Sequence, residues 1–221
     1  MEDFLVAVVP VRKGSQRVKD KNTKPFAKKN LLIYKLETLK KIKQLDKIIV
    51  NTDSEEAIDI AKKLGIDFQK RDKYFASSEC SNSEFWSHIG KTTKSKYLMF
   101  TNCTSPFIRN TTYSNFIKKF KENINNYDSF NTVTEIKEFL YLNNKPINFD
   151  TSKTPNSQNL PDVVKLNFAI NILSSEEMYK KKSLIGNNPF LYKLDDLEGF
   201  DINYPLEFEF AEFLFNKSYQ K

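Results

Sequence analysis

The densest chemistry in the chain lies near its start, in Val8-Val9-Pro10-Val11-Arg12-Lys13-Gly14-Ser15-Gln16-Arg17-Val18-Lys19-Asp20-Lys21-Asn22. A small-residue turn after a buried strand exposes backbone N–H groups that can cradle phosphate oxygens. Fixed cations such as Arg12 and Lys21 can hold a triphosphate and stabilise charge on a leaving pyrophosphate. The G-x-x-x-x-G-K pattern of a P-loop is absent, and a single glycine is too few for a dinucleotide fingerprint. Charge singles out the same place. The net charge is +7, and residues 12–29 hold eight cations against one anion, whereas the rest of the chain balances at 27 against 27. Basicity confined to one segment points to a local anionic ligand. A solvated basic loop has the same composition. A nucleic-acid patch normally recruits cations from several segments, so no nucleic-acid partner is expected.

The elements that must position this loop follow from periodicity. Phe4 to Val11 is a continuous apolar, β-branched run, as in a strand buried on both faces of a parallel sheet. Leu31 to Leu45 has helical apolar spacing. Lys47 to Thr52 reads as a second strand, and Asp53 or Ser54 can cap a helix that runs to Leu64 and stops at Gly65. Strands are then predicted at 66–69, 97–101, 129–134 and 163–173. Helices are predicted at 83–92, 111–122 and 204–215. Alternating strands and helices give an α/β fold, a three-layer sandwich around a mainly parallel, Rossmann-like sheet, with ligands at the carboxyl ends of the strands. The basic loop sits at such an end. The rhythm breaks near Glu135, and residues 143–161 are rich in Asn, Pro, Ser and Thr, so one domain spanning 1–221 is expected, with a protruding segment at about 135–165.

Composition bounds the class. Hydrophobic residues make up 39% and charged residues 29%, as in a soluble globular domain. No apolar run approaches the roughly 20 residues of a membrane span. The acidic Met1-Glu2-Asp3 leads directly into a strand, which does not read as a signal peptide, so a cytoplasmic location is expected. Two cysteines, Cys80 and Cys103, are too few for a disulfide framework, and with one histidine they argue against zinc. That histidine, His88, falls beside Trp86 and Ile89 in a predicted helix and reads as a packing residue rather than a base. Phe208, Phe210, Phe213 and Phe215 read as core rather than as a platform for bases.

The motifs, taken together, resemble the acylneuraminate cytidylyltransferase (CMP-sialic acid synthetase) family. Pro10-Val11-Arg12-Lys13-Gly14-Ser15-Gln16 with Lys21-Asn22 is similar to that family's P-A-R-x-G-S-K-x-x-x-x-K-N, with Gln16 in place of the usual Lys. Ile49-Val50-Asn51-Thr52-Asp53-Ser54 resembles I-V-V-S-T-D-S. Arg71 with Ala76-Ser77-Ser78-Glu79-Cys80-Ser81-Asn82 is similar to R-P-x-x-L-A-x-D-x-x-S/T, with Asp72 and Ser78 replacing the Pro and the Asp. Asn102-Cys103-Thr104-Ser105-Pro106-Phe107-Ile108-Arg109 resembles L-Q-P-T-S-P-L-R. Gln158-Asn159-Leu160-Pro161, Lys165 and Asn167 resemble Q-x-L-P-x-x-x-R-x-N. Asp201-Ile202-Asn203 stands where the family has D-I-D. The likeness covers residues 4 to 110 well and 158 to 212 loosely.

What the resemblance implies is a cytidylyltransferase that moves CMP from CTP to a sugar acid with release of pyrophosphate, and that works as a homodimer. It implies that Arg12, Gly14, Ser15, Lys21 and Asn22 bind the nucleotide's phosphates and sugar, and that Arg71, Cys80 and Asn82 enclose its base and ribose. Asn102, Thr104, Ser105, Lys165 and Asn167 would meet the acceptor, and Asp201 and Asn203 would hold Mg²⁺. Arg12, Lys21 and Asp201 would carry the catalysis. Lys165 keeps the charge of the family's Arg but loses its bidentate fork. Asp201 could instead cap the last helix, and Thr104 to Pro106 could be a turn alone. Gln16, Ser78, Asn102, Lys165 and Asn203 depart from the pattern mainly on the metal and acceptor side. An acceptor other than N-acetylneuraminate, such as a legionaminic- or pseudaminic-type acid or a smaller acid, is therefore expected. Two other readings stay open. One is a nucleotidyltransferase with a different nucleotide or a phosphorylated acceptor, although the G-x-G-T-R turn usual in sugar-1-phosphate enzymes is missing. The other is a non-catalytic nucleotide or nucleic-acid binder.

Overall fold

A computed structural model describes residues 3–219. Its main sheet has seven strands: β1 (Leu5–Val11), β2 (Lys47–Thr52), β3 (Asp67–Lys70), β4 (Tyr97–Thr101), β5 (Ser129–Ile136), β8 (Val163–Ser174) and β9 (Pro189–Lys193). Two short strands, β6 (Tyr141–Leu142) and β7 (Lys145–Pro146), pair separately as a hairpin. The sheet order is β3-β2-β1-β4-β8-β5-β9. All pairings are parallel except those of β8, which runs antiparallel to both β4 and β5. Val8 at the centre of β1 sits opposite Ile49 on one side and Phe100 on the other.

The helices are α1 (Leu31–Leu39), α2 (Glu55–Lys63), the short α3 (Lys73–Ala76), α4 (Asn82–Thr92), α5 (Asn110–Asn123), α6 (Ser175–Lys181) and α7 (Pro205–Tyr219). Successive side chains of a strand point to opposite faces, and β1 shows this directly. Leu5, Ala7, Val9 and Val11 join the large apolar cluster built with α1, α2, α5 and α7, while Val6 and Val8 join a smaller one with Ile89 of α4 and Met178 of α6. These two clusters are the interfaces of a three-layer sandwich. On the smaller side, α4 approaches α6 through Gly90, where a Cβ would lie 2.6 Å from the Tyr179 nitrogen and 2.7 Å from the Ser175 oxygen.

Local signals account for most boundaries. Ser54, not Asp53, caps α2, accepting from the Ala57 N–H at 3.4 Å. Ser81 and Glu84 form a reciprocal capping box at the start of α4. The helix expected over 31–45 ends at Leu39. Its last turn closes with Lys41 N–H to Thr38 and Ile42 N–H to Leu39, and Ile42 still reaches the core. The apolar spacing there reports burial rather than helix. Besides the short α3, β6 and β7, two elements escaped the pattern: α6, capped by Ser174 accepting from the Glu177 N–H, and β9, an edge strand that begins on a proline. In α7, Phe208 and Phe215 are core as expected, but Phe210 and Phe213 are 50% and 64% exposed. They point away from the face that Phe208, Ala211 and Phe215 share.

Residues 137–161 hold the β6–β7 hairpin and two 3-10 turns, at Thr151–Lys153 and Ser157–Asn159. Phe139, Tyr141, Leu142 and Ile147 are exposed there. No helix of the described residues is long and apolar enough to cross a membrane.

Candidate active site

The loop after β1 is shaped by two carboxylates. Asp53, at the end of β2, accepts from the Lys13 N–H at 2.8 Å. Asp20 faces the Gly14 N–H at 3.4 Å, and Gly14 itself has φ +70°, which a glycine adopts without strain. The N–H groups of Lys13 and Gly14 are thus taken up within the loop. Gly14 lies outside the cavity lining, which Ser15, Gln16 and Arg17 join. Val18 is 5% exposed and anchors the loop in the main core between its cations. A turn at Asp20, whose carbonyl accepts from Thr23 and Lys24, then presents Lys21 and Asn22.

The Lys21 ammonium donates to the main-chain carbonyl of Ile202. Burial lowers its pKa, and the nearby Asp201 carboxylate works in the opposite sense. Asp201 Oδ2 accepts from the Asn203 amide at 2.8 Å, while Asp201 Oδ1 is buried without a hydrogen-bond partner. Asn22 Oδ1 is likewise buried and unpartnered. Asp201 does not cap α7. Glu207 does that, accepting from the N–H groups of Asn203 and Tyr204.

Arg71 follows β3 and is 5% exposed. Its guanidinium donates to the Asn51 side-chain oxygen at 2.7 Å and the Asn51 carbonyl at 2.8 Å, and lies 4.1 Å from the centroid of the Phe85 ring. Burial pulls its pKa down to about 10, which still leaves it charged at neutral pH. Ser77 Oγ receives the N–H groups of Glu79 and Cys80, holding the turn that leads into α4. His88 stacks on Phe75 with ring centroids 3.8 Å apart, which makes it a packing residue.

These elements enclose a cavity of about 500 Å³. Arg12, Ser15, Lys21, Asn22, Arg71, Cys80 and Asn82 line it, as do Asn102, Thr104, Asn167, Asp201 and Asn203. Residues up to 191 positions apart in sequence therefore meet on one surface, at the carboxyl ends of β1 and β4. Besides Gly14, two expected residues fall elsewhere. Lys165 lines an adjoining cavity of about 700 Å³, which shares Asn167, Phe168, Asp201 and Asn203 with the first. Ser105 is fully buried and lines neither cavity; its carbonyl accepts from the buried Lys35 ammonium at 2.9 Å, so it supports the loop after β4 rather than a ligand. The side chain of Asn167 is largely committed inward, to Thr132, Thr134 and the Ala169 N–H.

The aromatic wall was missed by the sequence reading: Phe75, Phe85, Trp86, Phe100 and Phe168 also line the first cavity. Phe85 and Trp86 sit side by side on α4, and only their position on a helix capped next to Asn82 hinted at a lining role. As for a metal, no group of three or more His, Cys, Asp or Glu among the described residues could hold one. Mg²⁺ needs no such cage, since one or two carboxylates suffice where phosphates and waters supply the other oxygens. The unpartnered Asp201 Oδ1 and the neighbouring Asn203 amide fit that role.

A parallel sheet whose strand ends carry a basic loop opposite a carboxylate is the site plan of Rossmann-like nucleotidyltransferases. The chain belongs to the cytidylyltransferase family, whose model matches residues 6–191. It is 27% identical over 219 residues to the N-acylneuraminate cytidylyltransferase of Escherichia coli O18:K1:H7, covering 96% of this chain and 52% of that protein. The chain thus spans about half the length of this relative. It is 24% identical over 229 residues to the CMP-N,N'-diacetyllegionaminic acid synthase of Campylobacter jejuni, covering 95% of this chain and 94% of that one. In fold it is similar to CMP:2-keto-3-deoxy-manno-octonic acid synthetase complexed with CTP, with a TM-score of 0.75 at 13% identity over 98% and 100% of the two chains.

Proposed function

We propose that this chain transfers a cytidylyl group from CTP to a sugar acid and releases pyrophosphate. The observation that carries this reading is the single cavity in which Arg12, Lys21 and Arg71 face Asp201 and Asn203. The acceptor's anomeric hydroxyl attacks the α-phosphorus in line. A new oxygen–phosphorus bond forms, the bond to the β-phosphate oxygen breaks, and the hydroxyl proton is released. Such transfer is chiefly positioning and charge stabilisation. Arg12 and Lys21 neutralise the triphosphate and the leaving pyrophosphate. Arg71, fixed by Asn51 and stacked on Phe85, gives the base a rigid cationic edge beside the Cys80 turn and Asn82. Asn22 and Ser15 offer polar contacts to the sugar and phosphates.

The adjoining cavity takes the acceptor. Its lysines are Lys137, paired with Asp162 at 2.8 Å and Glu135 at 3.6 Å, and Lys165, which makes no ion pair among the described residues. Lys165 is thus the cation available to the acceptor's carboxylate, with Asn102 and Thr104 lining the nucleotide side of the junction. Mg²⁺ bound through Asp201 and Asn203 would add charge neutralisation at the phosphates. The acceptor is a nonulosonic acid other than N-acetylneuraminate, in keeping with the departures at Asn102, Lys165 and Asn203. The exposed apolar residues Phe139, Tyr141, Leu142 and Ile147 support a homodimer formed through residues 137–161. The unpaired thiols Cys80 and Cys103 are in keeping with work in the cytoplasm.

The test is pyrophosphate release with CTP and Mg²⁺ across a panel of sugar acids, with ATP, GTP and UTP as controls. CTP-dependent release with one acid identifies reaction and acceptor together. Failure to bind CTP would remove the nucleotide site and bring forward a binding role for the basic loop. In that case oligonucleotide affinity would fall steeply with salt.

A further inference from the structure

Phe168 lies in the left-handed backbone region, at φ +53°. A bulky residue there is a genuine outlier, and it persists only where its surroundings over-determine it. Here they do. The preceding Asn167 is bonded through its side chain to Thr132 at 2.7 Å, Thr134 at 2.9 Å and the Ala169 N–H at 3.1 Å. The Phe168 carbonyl accepts from Asn102 at 3.3 Å and Asn171 at 3.1 Å. The pairing of β5 with β8 shifts register between Asn131 and Val133, opposite this stretch. Strain held in this way gathers at ligand sites, and Phe168 is at one. It lines both cavities, and its ring stacks on Trp86 with centroids 6.2 Å apart and planes at 27°. Ile136, Leu166 and Phe200 also line the acceptor cavity, but of its apolar residues Phe168 alone is shared with the nucleotide cavity.

We propose that Phe168 determines acceptor specificity. Backed by Trp86, its ring presents an apolar surface at the junction of the two cavities. There it selects a sugar acid with an apolar substituent, such as an acylamino methyl or a deoxy methyl group, over a fully hydroxylated acid. The proposal rests on the cytidylyl-transfer reading. Its physical basis is that a hydroxyl desolvated against an aromatic face loses hydrogen bonds that a methyl never had.

The experiment compares wild type, Phe168→Gly and Phe168→Tyr in full-length protein. Each is assayed with CTP and two acceptors, an N-acylated nonulosonic acid and a fully hydroxylated octulosonic acid. Melting temperature and CTP affinity are measured alongside. Glycine suits a positive φ, so Phe168→Gly removes the ring without adding backbone strain. If the added backbone freedom of glycine prevents folding, Phe168→Asn replaces it, since Asn also tolerates this region. The expected result is that the ratio of kcat/KM for the acylated over the hydroxylated acid falls about tenfold or more in Phe168→Gly, the scale of one apolar contact. In Phe168→Tyr the ratio is retained. An unchanged ratio in Phe168→Gly, or a change confined to CTP affinity, overturns the proposal while leaving cytidylyl transfer standing. A wild type that transfers to no acid overturns the underlying reading, and the specificity role with it.

Discussion

The ammonium group of Lys21 is bonded to the carbonyl of Ile202, the residue between Asp201 and Asn203. One contact thereby fastens the basic loop after β1 to the segment that precedes α7. The cation and the carboxylate of the site are held together across 180 positions of sequence. Neither can be displaced without disturbing the other.

Arg12→Ala and Lys21→Ala are each expected to lower cytidylyl transfer by about a hundredfold, the cost of losing one charge contact in a transition state. Initial-rate measurements of pyrophosphate release check this. Near-normal turnover in both variants would remove the loop from the chemistry.

Asn203→Asp replaces the amide that donates to Asp201 Oδ2 with a second carboxylate. Without divalent cation the variant should lose about 1 kcal/mol of stability, from one lost hydrogen bond and a new like-charge contact. Mg²⁺ should restore its melting temperature, while the wild type responds less. Calorimetric melts at several Mg²⁺ concentrations decide the matter, and a variant indifferent to Mg²⁺ would detach Asp201 and Asn203 from metal binding.

Glu84 accepts from the Ser81 hydroxyl and N–H and from the Tyr74 hydroxyl, and these bonds hold its pKa down to about 2, against 4.5 in the free side chain. A depressed carboxylate contributes stability above its unfolded pKa and loses it as pH falls through the folded one. The contribution is therefore full above about pH 5 and disappears between roughly 4.5 and 2. Glu84→Gln should melt below the wild type at pH 7, and the gap should close toward pH 2. Parallel melting curves across that range would contradict the capping-box account.

Cys103 is buried, and burial pushes its pKa up to about 12, so it should resist alkylation. Cys80 is half-buried and lines the cavity of about 500 Å³ proposed for the nucleotide. Maleimide at pH 8 should add one label, at Cys80, and saturating CTP should slow it. Mass spectrometry of the labelled protein reads both outcomes, and labelling unaffected by CTP would place the nucleotide away from the Cys80 turn.

Much of this was legible in the chain. The buried runs at β1, β2 and β4 and the cap offered at Asp53 or Ser54 are local signals, and local structure obeys them. Arg12 could be placed at a ligand site because parallel strands carry ligands at their carboxyl ends, whereas the convergence of Arg71, Asn102 and Asp201 on it was implied only by the family resemblance. What stayed hidden depends on partners distant in sequence. Nothing at Lys13 or Gly14 announces that Asp53 and Asp20 take up their N–H groups. Ser105 looks like a ligand group until the buried Lys35 ammonium, itself bonded to Tyr113, takes up its carbonyl from another layer. Phe168 carries no glycine or asparagine to mark its backbone, because the hydrogen bonds that impose it come from β4, β5 and later in β8 itself. Phe210 and Phe213 show the converse, since a phenylalanine-rich helix cannot declare which of its faces will find a neighbour.

The place of β8 in the sheet has a consequence for how the molecule is made. It lies between β4 and β5, yet it leaves the ribosome after both. Until residue 163 emerges, each of those strands presents an unsatisfied edge able to recruit another chain. Twelve residues then close both edges in one step, and the same residues carry Asn167 and Phe168 into the site. The last central strand to arrive therefore closes the gap in the middle of the sheet, while the outer edge of β5 waits for β9 and the acceptor side for Asp201 and Asn203, so a chain arrested before β8 would leave both β4 and β5 exposed to recruitment.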